Sequence, residues 1–166
     1  MSKITEPREL LEYKLATMLY VERELAENVL PELIEEVDNP ELMQSLTGHL
    51  AQTRGHVANL EQAFTILGEE PDTEKSAAFD GLTKDHSQLV KKIDAQPLED
   101  IVHAGAAAKT EHFEIAAYEG MIDLADSLGE TEIVHLLQEN LDQERAALQQ
   151  VQLVSKQLGS MRHATV

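Results

Sequence analysis

The sequence contains no cysteine among its 166 residues. Disulfide bonds, thiol catalysis, thiolate zinc sites and iron–sulfur clusters are therefore excluded. Basic residues are scarce as well, because 13 lysines and arginines stand against 31 aspartates and glutamates, which gives a formal charge of −18. This charge predicts that neither nucleic acid nor an anionic membrane surface is a partner.

Long apolar segments are also missing. The N-terminal sequence MSKITEPREL has no apolar signal core, and no apolar run approaches the roughly 20 residues that span a bilayer. We therefore expect a cytoplasmic protein. The length suits a single domain, and a content of 42% apolar residues is enough for a sizeable core.

Aromatic residues make up only 4% of the chain, while Leu, Ala, Glu and Gln are abundant. This composition favours helix over strand, and proline and glycine divide the chain into four long helices. The predicted segments are helices at about 5–37, 40–67, 97–128 and 131–158, a connection at 68–96 with two short helical patterns, and a frayed tail at 160–166. Pro31 lies inside the first helix, where we expect it to cause a bend.

The lengths of the connections predict the topology. Only a few residues join the first helix to the second and the third to the fourth, so each pair is an antiparallel hairpin. The connection at 68–96 is long enough to recross the bundle. We therefore predict an all-α, ferritin-like four-helix bundle of two hairpins joined by a long crossover. The alternative is an open pair of hairpins that closes only when the protein dimerises.

Each long helix carries an apolar stripe that polar residues interrupt. Glutamate occupies stripe or near-stripe positions in the first, third and fourth helices, and histidine flanks the stripe of the second. The residues are Glu22, His56, Glu111, Glu114 and Glu144. When the short turns are taken as the centres of the two hairpins, all five fall in about the same layer at mid-bundle.

Buried carboxylates in one layer need compensation, because desolvation and mutual repulsion disfavour their ionised forms. They either share protons or neutralise a cation. Carboxylates together with imidazole suit iron or manganese, and zinc less well. The competing interpretation is an inert polar layer whose glutamates turn towards solvent or pair with a basic residue, for which Arg54 is the candidate that we expect near the layer.

Other candidate residues are assigned to lesser roles. The only literal Glu-x-x-His motif, Glu132 to His135, is expected to face solvent about two turns away from the layer. His49 is expected to flank the core or support a ligand, and Tyr118 is expected to pack. Four further histidines are interpreted as surface or boundary residues, namely His86, His103, His112 and His163.

With these residues in place, the sequence resembles the ferritin-like bacterial stress proteins of the YciE/YciF type. The resemblance rests on blocks in the right order along nearly the whole chain, namely ITEPREL, MLYVERELAENVLPEL, HLAQTRGHVANLEQAF, TEHFEIAAYEGM and LGETEIVHLLQENLDQE. It implies a bundle that commonly forms a homodimer and is distantly related to rubrerythrins and other di-iron carboxylate proteins. It also implies that the metal ligands are Glu22, His56, Glu111, Glu114 and Glu144.

The sequence departs from the full di-iron pattern, which has Glu-x-x-His on both the second and the fourth helix. Thr53 stands three residues before His56, and Ala147 stands three residues after Glu144. One carboxylate and one imidazole are therefore missing, and Gln52, Thr53 and Tyr118 are candidates for supporting positions around the ligands.

Three functions are compatible with this sequence. The first is a stress-response protein with an iron or manganese di-metal centre that reacts with peroxide or O₂. The second is a non-catalytic helical dimer, or interaction protein, with a metal-free polar layer. The third is iron storage, which needs a multi-subunit cage for which the sequence offers no indication.

Overall fold

A computed structural model describes residues 3–161 of the chain, with the side chains of residues 3–160. Five helices and no strand lie within this part. The first helix, α1, is continuous and comprises Pro7–Glu24, a π-helical turn at Leu25–Val29, and Leu30–Glu36. The others are α2 (Pro40–Leu67), α3 (Ala77–Val90), α4 (Gln96–Ser127) and α5 (Thr131–Met161).

The ends of α2 show how local chemistry sets the helix bounds. The side chain of Asn39 accepts hydrogen bonds from the backbone N–H groups of Glu41 and Leu42, and Pro40 occupies the first turn, where its missing N–H costs nothing. The helix stops at Gly68, whose φ of 77° lies in the left-handed region that glycine adopts without strain. These signals are local, which is why they can be read from the sequence.

Pro31, where we expected a bend, lies just after a π-helical turn in α1. Proline has no N–H to donate to the carbonyl four residues earlier, and its ring crowds that carbonyl. The π turn at Leu25–Val29 covers this position, and the N–H of Leu30 donates to the carbonyl of Leu25, five residues earlier. The extra residue in the turn relieves the crowding while the helix continues to Glu36.

The four long helices pack side by side in antiparallel pairs. The side-chain amide of Gln96, at the start of α4, donates to the carbonyl of Glu36, at the end of α1, over 3.2 Å. The amide of Asn59 on α2 donates to Asn140 Oδ1 on α5 over 2.8 Å. Besides its hairpin partner, each helix of one hairpin therefore touches one helix of the other. The predicted all-α bundle is confirmed.

The crossover contains one helix, α3, where the sequence suggested two short ones. Gly81 lies inside α3 and does not interrupt it. The buried ring of Phe79 anchors the helix edge-on to Tyr20, and the Tyr20 hydroxyl donates to Asp80 Oδ1 over 2.8 Å. The crossover helix is thereby docked on α1, and its contacts with α4 place it over the groove between the two.

The helix α5 continues to Met161, three residues beyond the expected end at about residue 158. Part of the predicted frayed tail, residues 162–166, lies outside the described residues. No helix in the described part is both long and apolar enough to cross a membrane.

Candidate metal centre

The structure brings the five predicted ligand residues together inside the bundle. No surface is exposed on Glu22, Glu114 or Glu144. Glu111 is 4% exposed and His56 is 1% exposed. The five come from all four long helices and are Glu22 (α1), His56 (α2), Glu111 and Glu114 (α4) and Glu144 (α5). These five side chains therefore have almost no access to bulk water.

Glu22, His56 and Glu144 form one group with the spacing of metal ligands. The Nδ1 atom of His56 lies 3.3 Å from Glu22 Oε1 and 2.8 Å from Glu144 Oε1. On the other side of the ring, Nε2 lies 3.1 Å from the side-chain oxygen of Gln143. An amide oxygen can only accept, so in the neutral ring Nε2 carries the proton and Nδ1 presents its lone pair to the carboxylates.

His49, Glu111, Glu114 and Glu144 form a second such group. The Nε2 atom of His49 lies 3.4 Å from Glu111 Oε1 and 3.8 Å from Glu144 Oε2. His49, which we expected to flank the core or to support a ligand, has its ring buried among the carboxylates. Glu144 belongs to both groups, with Oε1 facing His56 and Oε2 facing His49.

His49 also changes the count of missing ligands. The sequence comparison with the di-iron pattern left one imidazole unaccounted for, at Ala147 on α5. The structure places Ala147 and His49 on the same groove, so an imidazole from α2 occupies the side of the centre where the pattern has one from α5. Thr53 remains the position without a carboxylate, and its hydroxyl donates to the carbonyl of His49 over 3.0 Å.

Burial shifts the pKa values of the carboxyl groups strongly. It raises the pKa of Glu22, Glu111 and Glu114, and the nearby charge of Glu144 adds to the effect; the pKa of Glu111 rises to about 11. Burial acts against ionisation of Glu144 too, but its contacts with His56 and Glu111 outweigh it and lower its pKa. In the absence of a cation, burial therefore favours the protonated form of these three carboxyls.

The pKa values of the two histidines are shifted in opposite directions. Burial would lower the pKa of His56, yet its contacts with Glu144 and Glu22 raise it to about 10. Burial does lower the pKa of His49, although the charge of Glu144 opposes it. His56 is therefore a cation in the metal-free protein, and the proton on Nδ1 occupies the side that would face a metal ion.

The donor set fits a pair of divalent metal ions. Buried atoms without a hydrogen-bond partner are concentrated here, namely Glu22 Oε2, His49 Nδ1, His56 Nδ1, Glu111 Oε2, both oxygens of Glu114 and both oxygens of Glu144. Unpartnered buried polar atoms are rare in folded proteins, because each one loses its hydration without replacement. Arg54, the basic residue suggested by sequence proximity, is exposed. Oxygen and imidazole ligands match the preferences of iron and manganese.

Tyr118 is fully buried and also contacts a candidate ligand, which is the supporting position suggested for it as the alternative to packing alone. Its hydroxyl donates to Glu22 Oε1 and accepts a hydrogen bond of 3.0 Å from the amide of Asn140. Asn140 in turn accepts from Asn59 over 2.8 Å. The sequence analysis missed Asn140, although an asparagine at an apolar-stripe position next to Leu141 is a detectable signal. This chain of hydrogen bonds fixes one oxygen of Glu22.

The other histidines that the structure describes belong to neither ligand group. His112 and His135 are exposed, as is Glu132, in agreement with the expectation for this motif. His103 is buried instead of lying at the surface, and its Nδ1 is 3.0 Å from Nε2 of His86, which links α4 to α3. His163 lies outside the described residues.

Comparisons with known proteins agree with this fold. YciF of Escherichia coli (strain K12) is 29% identical over 121 residues, which cover 70% of this chain and 71% of YciF. Among solved structures, YcfI of Rhodopseudomonas palustris is 33% identical with a TM-score of 0.88, and the match covers 90% of this chain and 95% of YcfI. The crystal structure of the E. coli stress protein YciF superposes with a TM-score of 0.88 at 23% identity, covering 95% and 99% of the two chains.

A family model matches nearly the whole chain. Residues 6–163 fit the family described as Domain of unknown function (DUF892), and the matched region contains every residue of the two ligand groups. The predicted YciE/YciF-type relationship is confirmed, and the chain belongs to the DUF892 family.

Proposed function

We propose that this protein binds two iron or manganese ions in the middle of its bundle, with Glu144 shared between the two sets of ligand residues, and that the bound metal would supply redox chemistry towards peroxide or O₂. The observation that carries the proposal is the position of the Glu144 carboxylate, whose two oxygens face two different histidines. Glu22 and His56 would hold one ion, and His49, Glu111 and Glu114 would hold the other.

Charge supports the same interpretation. The layer contains four carboxyl groups and two imidazoles, and two divalent ions would balance four carboxylates. When bound, a pair of iron ions would supply the two electrons that the reduction of a peroxide to water requires. The protein's own groups would orient the ligands: Gln143 holds His56, and Tyr118 with Asn140 holds Glu22.

The raised carboxyl pKa values favour one alternative, a metal-free polar layer in which Glu22, Glu111 and Glu114 keep their protons. Such a layer would serve a structural or interaction protein. The two functions predict opposite results for metal content, so one experiment separates them.

The test measures the metal content of protein purified without chelator and reconstituted with iron(II) or manganese(II) under anaerobic conditions. We expect two ions per chain, a higher melting temperature with metal than without, and loss of both effects in the double variants Glu22→Ala/Glu144→Ala and Glu22→Gln/Glu144→Gln. The matched control is Glu35→Ala/Glu139→Ala, which changes exposed glutamates on the same two helices. Absence of metal after reconstitution would leave the metal-free layer as the function.

A further inference from the structure

A cavity of about 40 Å³ lies between α1, α3 and α4 and ends at the candidate metal centre. Its inner end is formed by His49 and Glu111, which belong to the second ligand group. A cavity that holds one water needs roughly 10–15 Å³. The space is therefore large enough for a molecule of a few atoms and too small for a metabolite.

The wall of this cavity is mainly apolar. From α1 it receives Leu25 and Val29 of the π turn, together with Leu30 and Leu33 of the next turns. Across from them lie Leu82 of the crossover helix and two small residues of α4, Ala106 and Ala107. The crossover helix thus closes a space that would otherwise be an open groove between α1 and α4.

The polar side chains along the wall are satisfied by the protein itself. The hydroxyl of Thr83 donates to the carbonyl of Asp80 over 3.0 Å, and the hydroxyl of Thr110 donates to the carbonyl of Ala106 over 3.2 Å. Neither threonine has its proton free for a ligand. A hydrogen-bonding guest would therefore lose its hydration without replacement along most of the cavity.

The charged groups on the crossover-helix side are also paired with each other. Lys109 Nζ lies 3.0 Å from Asp85 Oδ2, and His86 Nε2 lies 3.0 Å from His103 Nδ1. Both pairs connect α3 to α4, and three of their members line the cavity. No cation is left over to attract an anionic guest such as superoxide, and the two pairs hold the covering helix in place.

We infer that this cavity, bounded by Leu25, Leu82 and Ala107 and ending at His49 and Glu111, is the chamber through which a small apolar oxidant, dioxygen, reaches the metal centre. The inference rests on the proposed function and deepens it, because it selects dioxygen over hydrogen peroxide. Hydrogen peroxide has two O–H donors for which the leucine, valine and alanine side chains that make up most of the wall offer no acceptor, whereas dioxygen requires no hydrogen bond.

Xenon tests the cavity without metal, because this apolar atom binds in dry cavities of proteins. In crystals of the metal-free full chain under xenon pressure, we expect a xenon peak between Leu30 and Ala107. The peak should disappear in Ala107→Leu, which fills the space, and gain occupancy in Leu82→Ala, which enlarges it. The control Ala116→Leu adds the same side chain at an exposed position of α4 and should leave the peak unchanged. Absence of xenon from both the native chain and Leu82→Ala would overturn the inference.

A second measurement distinguishes the two oxidants. Iron(II)-loaded protein is mixed with dioxygen or with hydrogen peroxide, and Ala107→Leu should slow the reaction with dioxygen more than that with peroxide. An equal effect on both reactions, or no effect on either, would overturn the selectivity. Metal content distinguishes failure of this inference from failure of the proposed function. Protein that binds metal but no xenon would overturn the inference and leave the proposed function standing. Protein that binds xenon but no metal would overturn both.

Discussion

The Nδ1 atom of His56 lies 2.8 Å from Oε1 of Glu144, and the far side of the same ring is held by the side-chain oxygen of Gln143, one residue before that glutamate. Two consecutive residues of α5 therefore control one imidazole of α2. Gln143 fixes which nitrogen carries the proton, and Glu144 lies where the other nitrogen would share a metal ion.

Replacing Gln143 with methionine should weaken metal binding without unfolding the bundle. The substitution keeps the volume but removes the hydrogen-bond acceptor that orients His56, and losses of roughly 10–100-fold in metal affinity are typical for such supporting contacts. Competition titration with a chromogenic chelator measures the change. Gln149→Met, at an exposed position of α5, is the control. Equal affinities for the two variants would contradict the assigned role of Gln143.

His49 should account for one of the two metal ions. His49→Gln removes the only imidazole of the second group, while the group of Glu22, His56 and Glu144 stays complete. We expect the stoichiometry of reconstituted protein to fall from two ions per chain to one. His135→Gln, which changes an exposed histidine, should keep the native value. Two tightly bound ions in His49→Gln would show that His49 only flanks the core.

Tyr118→Phe should destabilise the metal-free protein. The substitution leaves Glu22 Oε1 and the amide of Asn140 buried without the hydroxyl that both contact. An unsatisfied buried polar group costs about 1–3 kcal/mol, so the free energy of unfolding in urea should fall by at least that order. The exposed Tyr13 provides the control Tyr13→Phe. A change within measurement error at both positions would mean that these hydrogen bonds add nothing to stability.

The stability of the metal-free protein should fall as the pH rises. Glu22, Glu111 and Glu114 have pKa values raised by burial, that of Glu111 to about 11, and the contacts of His56 with two carboxylates raise its pKa to about 10. A group with a raised pKa in the folded state contributes stability that is complete below its unfolded pKa and is lost as the pH rises towards the folded value. For Glu111 this window runs from its ordinary value of 4.5 to about 11.

Glu111→Gln isolates this effect from the general surface charge. Glutamine is neutral at every pH, so the melting temperature of the variant should decline less steeply between pH 5 and pH 9 than that of the native chain, whereas the exposed Glu35→Gln should keep the native slope. The lowered pKa of Glu144 affects stability only as the pH falls below its ordinary value of 4.5, so it leaves the slope between pH 5 and pH 9 unchanged. Parallel curves for the native chain and Glu111→Gln would refute the assignment.

Much of the bundle and most of the centre could be predicted because helical periodicity is local information. Glu22, Glu111 and Glu144 interrupt apolar stripes, and the short turns give the register within each hairpin. The register between the hairpins depends on the crossover, whose path the sequence does not specify. The sequence therefore could not predict the contacts of α2 with α5, which position Gln143 and Asn140.

His49 was assigned a lesser role for a related reason. It lies seven residues before His56, which corresponds to about 10.5 Å along a helix that rises 1.5 Å per residue. A centre treated as one thin layer excludes a side chain at that distance. The two ligand groups instead extend the polar region along the bundle axis, with Glu144 between them. Whether the chain forms the expected homodimer stays a prediction, which analytical ultracentrifugation can check.

The π turn at Leu25–Val29 has a consequence for how this chain tolerates changes in length. The wider turn holds one extra residue between Glu22 and Pro31, and this residue adds little net rotation because a π turn takes more residues to complete than an α turn. Deleting a single residue such as Asn28 would restore ordinary α-helical winding and leave both Glu22 and Leu33 facing the bundle interior. The chain should therefore accept a one-residue deletion in this turn more readily than one within Pro7–Glu24, where a single residue corresponds to about 100° of rotation.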